Sequence, residues 1–237
     1  LNKKKIRFKG VNMHHDFGPV GAAFHKELFE RQMVKMKEMG VNAIRFSHNP
    51  PAPEALDICD EIGLLAIDEA FDEWQLGKTL NGYSKHFDLW AKKDLSDMIL
   101  RDRNHPSIIM WSIGNEIMEQ YKHDPNNITA YLNDIVKTLD TTRATTAGFN
   151  SANNALESGM AATVDVAGFN YKPGIYHKIR EHYPTLKFYG SETGGSLSTR
   201  NSYKYPVVFD TLQTKRGTSV NTELYSDGQP GNYENTN

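Results

Sequence analysis

Short apolar runs alternate along the chain with longer amphipathic stretches. Seven apolar runs predict β-strands: KIRFKGVN (5–12), VNAIRF (41–46), LLAID (64–68), SIIMWSI (107–113), ATTAGF (144–149), VDVAGFN (164–170) and LKFYGS (186–191). The runs show no strict alternation of apolar and polar residues, which is typical of strands that are buried on both faces. The pattern therefore predicts a parallel sheet that is covered by helices.

Amphipathic segments follow most of these runs. Helices are predicted over KELFERQMVKMKEMG (26–40), PEALDICDEIG (53–63) and FDLWAKKDLSDMILRDRNHP (87–106), with a fourth before the fifth strand. Gly40 and Gly63 are placed to end the first two helices. Three sets of apolar residues recur at helical spacing and are expected to face the core: Phe29, Met33 and Met36; Ala91, Leu95 and Met98; Tyr131, Ile135 and Leu139.

Seven βα-type units in one domain favour an α/β fold of the (β/α)8 TIM-barrel type. An open doubly wound sheet is the alternative, but no G-x-G-x-x-G follows the first strand. A complete barrel takes about 250 residues, and the chain is loop-like from about residue 196. We therefore expect residues 1–237 to form one barrel domain, truncated before the eighth strand and belonging to a longer protein.

Composition excludes several classes of function. The 237 residues are 38% hydrophobic and 24% charged, with a formal net charge of −2. This balance gives no basic patch for nucleic acid, and no apolar run approaches the roughly 18 residues of a membrane span. A single cysteine, Cys59, excludes an intrachain disulfide. The compartment stays open, cytoplasmic or else periplasmic or secreted.

Polar residues stand at the ends of almost all predicted strands, where the active sites of such barrels lie. They are His14, His15 and Asp16; Arg45, Ser47, His48 and Asn49; Asp68 and Glu69; Asn115 and Glu116; Asn170 and Tyr171; Ser191 and Glu192. Glu116 follows the fourth strand and Glu192 ends the seventh, and these two strands face each other across the mouth of an eight-stranded barrel. The sequence therefore predicts two opposed carboxylates.

Paired carboxylates across a cleft suit glycoside hydrolysis, in which one protonates the leaving oxygen and the other attacks or activates water. Asn115 is placed to bind a sugar hydroxyl, and Tyr171 to orient the nucleophile. Arg45 is interpreted either as a substrate contact or as the partner of a rim carboxylate. Three aromatic residues are expected to offer apolar surface to a sugar ring: Phe46, Trp74 and Trp111.

The same residues carry a resemblance to a known family. KGVNMHHD, MGVNAIRFSHNPP, DEIGLLAIDEAFDEW, RDRNHPSIIMWSIGNEI and FYGSETGG together resemble the catalytic barrel of glycoside hydrolase family 2, in its β-galactosidase-like branch. The resemblance runs from about Lys9 to Gly195 and implies a retaining exo-β-glycosidase that forms a covalent glycosyl-enzyme. It further implies flanking β-sandwich domains in the parent protein, which is interpreted as a bacterial-type enzyme.

Matched motif by motif, the resemblance makes Glu116 the general acid/base and Glu192 the nucleophile. The residues that it implies for substrate binding are His14, His48, Asn115 and Tyr171, the last of them supporting the nucleophile. We expect a small carbohydrate or glycoside as the partner, with neither nucleic acid nor membrane, and leave a homo-oligomer of the full-length parent open.

Two departures from the family bear on cofactor and substrate. Some members bind magnesium through a Glu and a His after the third strand; here Glu73 matches, but Gln75 replaces the His, so no metal or other cofactor is expected. Gly195 stands where some galactosidases have a His, which leaves β-galactoside, β-glucuronide and β-mannoside open. Arg45 and Lys172 are the basic residues at the predicted rim, and their scarcity favours a neutral sugar.

Two other classes of protein compete with the glycosidase interpretation. His14, His15 and Asp16 could begin the metal centre of a barrel metallohydrolase, although later strand ends supply no clear set of further ligands. A non-catalytic carbohydrate-binding relative would keep the barrel without turnover. Retention of both glutamates argues against this second class.

Overall fold

The computed structural model describes residues 4–122, 126–171 and 173–194. This part contains seven β-strands: β1 Gly10–His14, β2 Ala43–Ser47, β3 Leu65–Glu69, β4 Ile108–Asn115, β5 Ala144–Phe149, β6 Val166–Asn170 and β7 Phe188–Glu192. Each strand pairs in parallel with the next one along the chain, in the order β1 to β7. A doubly wound sheet reverses its strand order at a switch point, and this sequential order therefore excludes it.

The two ends of the sheet approach each other. Asn12 Nδ2 of β1 donates to the backbone oxygen of Ser191 in β7 at 3.0 Å. Arg45 of β2 contacts Glu192 of β7 at 2.9 Å. The sheet therefore curls around an axis, with a cavity of about 640 Å³ between its first and last strands. This confirms the predicted TIM-barrel fold, and the segment in which an eighth strand was sought lies outside the described residues.

Seven α-helices connect the strands within the described ranges. They are α1 Lys26–Glu38, α2 Pro53–Ile62, α3 Ser84–Asp102, α4 Asn126–Leu139, α5 Ala152–Glu157, α6 Met160–Thr163 and α7 Tyr176–His182. Local chemistry fixes the ends of α2, because Pro53 begins it and Gly63 closes it in the left-handed conformation at φ 72°. The Gly63 N–H donates to the oxygen of Cys59 at 3.0 Å.

Apolar helix faces pack on the outside of the sheet. Met33 of α1 and Leu95 of α3 are fully buried, as their spacing predicts. Each side chain of this size contributes about 1.5–3 kcal/mol by leaving water. On α4 the prediction is confirmed for Ile135, which is buried, and for Leu139, which packs against the core, but it was wrong for Tyr131, which is 46% exposed. Leu132 and Val136 are buried in addition.

Two strand boundaries also differ from the prediction. β1 begins at Gly10 rather than Lys5. The side chain of Asn42 instead accepts the Lys9 N–H and donates to the Arg7 oxygen. These two bonds hold the segment that precedes β1. β4 extends to Asn115, which places the first of the predicted site residues inside the strand itself. Within the described ranges, no helix is both long and apolar enough to cross a membrane.

Candidate active site

Six strands end on a polar residue. The last residues of β1, β2, β3, β4, β6 and β7 are His14, Ser47, Glu69, Asn115, Asn170 and Glu192. Glu116 and Tyr171 follow β4 and β6 directly. Because all the strands are parallel, their carboxyl ends share one rim of the barrel, as the sequence predicted.

Glu192 is a buried carboxylate with a different donor on each oxygen. Arg45 Nη1 donates to Oε1 at 2.9 Å, and Tyr171 Oη donates to Oε2 at 2.6 Å. Burial alone would raise the pKa of Glu192, but the charge of Arg45 and the two hydrogen bonds outweigh it and lower that pKa. Glu192 is therefore ionised at neutral pH and held in a fixed orientation.

Glu116 has an uncharged donor. Asn170 Nδ2 donates to Glu116 Oε1 at 2.9 Å, and Ser191 Oγ donates to Asn170 Oδ1 at 2.5 Å. Asn170 therefore connects the end of β4 with the end of β7. The amide of Asn170 also lies 3.2 Å from Asn115 Oδ1, so one side chain contacts both halves of the predicted Asn115–Glu116 pair.

Two site residues have a left-handed backbone. Glu116 has φ 43° and Tyr171 has φ 55°, a conformation that costs a residue other than glycine about 1–3 kcal/mol. Hydrogen bonds to neighbouring strands hold both residues there, from Glu116 N to Gly148 O at 2.7 Å and from Tyr171 N to Glu192 O at 2.5 Å. The strained turns lie at the rim, where each aims a side chain at the site.

Arg45 connects the strands beneath the rim. Its Nε and Nη2 donate to Glu69 at 2.8 and 3.0 Å, Nη1 donates to Asn12 at 3.2 Å and to Glu192, and Nη2 also donates to Asn115 at 2.9 Å. These bonds use all five N–H groups of a guanidinium, and the residue is 3% exposed. The donors of Arg45 are therefore engaged within the protein, which favours the expectation of a partner of rim carboxylates over that of a substrate contact.

The two predicted binding histidines lie together beside Glu192. His48 Nε2 is 3.7 Å from Glu192 Oε1, and the ring of His14 meets that of His48 edge-on at 5.1 Å between centroids. Burial and the neighbouring His48 lower the pKa of His14. His15 lies apart with Nε2 3.3 Å from the oxygen of Asn49, and Asp16 accepts the N–H of Gly18.

Gly148 makes room for this polar network. A Cβ there would lie 3.0 Å from Arg45 Nη2, 3.1 Å from Asn115 Oδ1 and 3.2 Å from Asn170 Oδ1. Each of these distances is shorter than an ordinary contact of a carbon atom. The absence of a side chain on β5 therefore lets three residues from neighbouring strands converge.

The aromatic residues predicted to line a sugar site lie in the core instead. Trp74 and Trp111 are fully buried, and their indole N–H groups donate to the Ile113 oxygen at 2.8 Å and to Asp140 at 2.9 Å. Phe46 is also buried, at 3% exposure. That prediction was wrong for all three residues, since none presents a face at the rim.

Asp68 and Glu69 lie on opposite faces of β3. Asp68 is fully buried against Asp102 of α3, to which Arg101 donates twice at 2.6 Å. Burial, then the charge of Asp102 and a hydrogen bond to it, raise the pKa of Asp68 well above its ordinary value. The raised pKa favours the neutral form of Asp68, which faces Asp102 in the helix layer rather than the rim.

Sequence reasoning missed a pair of rim residues in the loop after β3. Asp72 Oδ1 accepts Asn115 Nδ2 at 3.0 Å and Lys78 Nζ at 2.8 Å. Lys78 Nζ also donates to the Asn115 oxygen at 2.9 Å, which adds a basic residue to the rim for which the sequence predicted only Arg45 and Lys172. Lys172 lies outside the described residues, as does Gly195. No periodic signal in the sequence marks the loop residues.

The residues that match a magnesium site are engaged elsewhere. Glu73 accepts the backbone N–H of Lys78 at 2.6 Å and that of Ser84 at 2.8 Å, while Gln75 donates to Asp88 at 2.6 Å. Glu73 therefore organises its loop, and these residues do not fit a magnesium site. Among residues 4–122, 126–171 and 173–194, no three His, Cys, Asp or Glu residues are grouped to hold a metal ion, and the metallohydrolase alternative gains no support.

The fold and the rim together define a class: parallel (β/α) barrels with one glutamate after the fourth strand and another at the end of the seventh. The family described as "Glycosyl hydrolases family 2, TIM barrel domain" matches residues 1–193. The chain belongs to glycosyl hydrolase family 2, of which it contains the TIM-barrel domain.

Individual relatives agree with this assignment. Beta-galactosidase BoGH2A of Bacteroides ovatus is 39% identical over 237 aligned positions, covering 87% of this chain and 28% of the relative. A putative beta-glucuronidase of Formosa agariphila is 37% identical over 86% of this chain and 18% of its own length. A family 2 crystal structure from Bacteroides cellulosilyticus has a TM-score of 0.76 at 44% identity, over 80% of this chain and 24% of that one. The chain therefore spans about a quarter of the length of such proteins.

Proposed function

We propose that the chain is the catalytic barrel of a retaining exo-β-glycosidase with β-galactosidase-like specificity. Glu192 is the nucleophile and Glu116 the general acid/base. The observation that carries the proposal is the contrast between the two glutamates: Arg45 and Tyr171 hold Glu192 as an anion, whereas Glu116 contacts the neutral amide of Asn170. A carboxylate nucleophile and a carboxyl group that exchanges a proton need these different surroundings.

In the first half of the reaction, a Glu192 oxygen attacks the anomeric carbon as the bond to the aglycone oxygen breaks. Glu116 gives its proton to the leaving oxygen, and the sugar becomes bound to Glu192 as an ester. In the second half, Glu116 takes a proton from water, which attacks the anomeric carbon and releases Glu192 as a carboxylate. Two inversions return the sugar with its original anomeric configuration.

Substrate binding follows from the groups around this pair. Asn115 binds the sugar hydroxyl next to the anomeric carbon, and His14 and His48 bind further hydroxyls of the terminal sugar. Arg45 is saturated by protein acceptors and Lys78 is paired with Asp72, so neither cation is offered to a uronate. These contacts favour a neutral sugar over a uronate. Among neutral sugars, the similarity to a beta-galactosidase favours a β-galactoside, with β-glucuronide and β-mannoside as the alternatives that the relatives and the motifs keep open.

A non-catalytic carbohydrate-binding protein is the proposal's competitor from another class. Such a protein needs donors and acceptors for hydroxyls, but it does not need a buried anion held between a guanidinium and a phenol. Glu192 has that surrounding, at 2.9 and 2.6 Å from its two donors. This arrangement supports catalysis over binding alone.

The test is hydrolysis of aryl β-galactoside, β-glucuronide and β-mannoside by the full-length protein. We expect turnover of the galactoside with first release of the β-anomer by NMR, and loss of turnover in Glu192→Gln and Glu116→Gln. Glu61→Gln, at an exposed position of α2, is the matched control. First release of the α-anomer would contradict the retaining mechanism. Sugar binding without turnover of any substrate would instead identify a binding protein.

A further inference from the structure

A second buried carboxylate lies beneath the nucleophile. Glu69, the last residue of β3, is 0% exposed and does not reach the rim surface. Arg45 donates to it from Nε at 2.8 Å and from Nη2 at 3.0 Å, Ser112 Oγ donates at 2.6 Å, and His48 Nδ1 lies 2.6 Å from it. The proposed reaction uses none of these four contacts directly.

Glu69 fixes the plane of the Arg45 guanidinium. A carboxylate that receives Nε and Nη2 together holds the guanidinium side-on. Once those two groups are fixed, the remaining N–H groups can point in only one set of directions. Nη1 then reaches Glu192 Oε1 at 2.9 Å, and Nη2 reaches Asn115 Oδ1 at 2.9 Å. The position of the nucleophile is therefore tied to Glu69 through Arg45.

Glu69 also divides the positive charge that Glu192 receives. One guanidinium lies between two buried carboxylates, with Arg45–Glu69 contacts of 2.7 Å and Arg45–Glu192 contacts of 2.9 Å. An anion that had Arg45 to itself would be more strongly stabilised and a weaker nucleophile. A shared guanidinium keeps Glu192 ionised and still reactive.

The same carboxylate orients one of the sugar-binding histidines. An ionised carboxylate only accepts hydrogen bonds, so the 2.6 Å contact makes Nδ1 of His48 a donor to Glu69. The imidazole is then turned so that Nε2 faces the rim, 3.7 Å from Glu192 Oε1. Glu69 therefore acts on both the nucleophile and a binding residue.

We propose that Glu69 is the positioning residue of this site: it touches no substrate, and it sets the orientation of Arg45 and His48 and the share of the Arg45 charge that reaches Glu192. This inference rests on the proposed function, because it assigns Glu69 a role in the reaction of Glu192. It goes beyond a structural ion pair because it predicts a change in the titration of the nucleophile.

Glu69→Gln removes the charge and keeps the size of the side chain. We expect kcat to fall by about 100-fold, the effect of misplacing a reacting group by roughly 1 Å, and KM to rise as well, because His48 loses the carboxylate that orients it. The acid limb of the kcat/KM profile should move to lower pH, because Glu192 then has Arg45 to itself. The titratable groups that face Glu192 are His14 of β1, Arg45 and His48 of β2 and its loop, Tyr171 after β6 and Tyr189 of β7, and all of them are retained in this variant.

Asp68→Asn is the matched control, since it removes the neighbouring carboxyl on the opposite face of β3. Its rate and acid limb should match those of the wild type. A second variant, Ser112→Ala, removes the 2.6 Å bond to Glu69 and keeps both charges. It should lower kcat severalfold and leave the acid limb in place.

The outcomes separate this inference from the function on which it rests. Wild-type turnover with an unmoved acid limb in folded Glu69→Gln would overturn the positioning role alone. If Glu69→Gln does not fold, an unchanged kcat in Ser112→Ala would do the same. No turnover in the wild type, with no covalent labelling of Glu192 by a mechanism-based glycosidase inhibitor, would overturn the proposed function and this inference together.

Discussion

Replacement of Tyr171 by Phe isolates one of the two bonds that hold the nucleophile. The variant removes the 2.6 Å hydrogen bond to Glu192 Oε2 and leaves Arg45 on Oε1. A hydrogen bond to a charged group contributes about 1.5–3 kcal/mol, and 1.36 kcal/mol corresponds to about one pKa unit. The side chain of Glu192 is 10% exposed, so water replaces part of the lost bond. The pKa of Glu192 should therefore rise by about one unit.

The assay is the pH dependence of kcat/KM, which reports the ionisations of the free enzyme. Glu192 must be ionised to attack, and its lowered pKa places the acid limb of the wild type below the ordinary range of a glutamate. In Tyr171→Phe the acid limb should move up by about one pH unit. The ring and its left-handed backbone are kept, so the fold should not change.

Tyr83→Phe is the matched control for this variant. Its hydroxyl also donates over 2.6 Å to a carboxylate, but that carboxylate is Asp94 of α3 rather than the nucleophile. The acid limb of the control should coincide with that of the wild type. An acid limb of Tyr171→Phe that also coincides would refute the reasoning, because Tyr171 would then contribute nothing to the ionisation of Glu192.

Two further predictions concern stability and the space beneath the rim. Folded Asp68 keeps its proton while the unfolded chain loses it near pH 4, so the free energy of unfolding should fall as the pH rises above about 4. Asp68→Asn removes this loss. In urea unfolding, the difference in free energy of unfolding between the variant and the wild type should therefore grow in favour of the variant as the pH rises above about 4; a constant difference would contradict this. Gly148→Ala forces a Cβ to within 3.0 Å of Arg45 Nη2. The free energy of unfolding, measured with denaturant, should fall by about 1–3 kcal/mol, and kcat should fall as well. Unchanged kinetics would contradict this, because the network would then tolerate the displacement.

The rim could be predicted because it depends on two local features. Each described strand is a short apolar run, and six of the seven end on a polar residue such as His14, Asn115 or Glu192. Parallel strands bring those ends to one edge whatever the details of packing. Strand order and the position of both glutamates at one rim therefore follow from the sequence, without knowledge of any contact between them.

The direction of individual side chains could not be predicted in the same way. Trp111 and Asn115 are four residues apart on β4 and would face the same side by simple alternation. A register shift between Ser112 and Asn115 interrupts that alternation. Trp111 consequently bonds to Asp140 in the helix layer, and Asn115 points to the rim. On α4, Ile135 and Leu139 fit a buried face that includes Tyr131 and equally one that includes Leu132. In the structure the buried face is the one with Leu132.

The hydrogen bonds that link the strands beneath the rim cannot be predicted from any local sequence pattern. Arg45 contacts residues of β1, β3, β4 and β7, and nothing in the sequence shows how many protein acceptors surround it. That count decides its role. With all five N–H groups used inside the protein, the cation has no donor left for a ligand, and its effect on the reaction passes through Glu192. Glu116 has no comparable cation among its described contacts. The rim therefore distinguishes two glutamates of the same type by what lies beneath each of them, and the proposed division into nucleophile and acid rests on that difference.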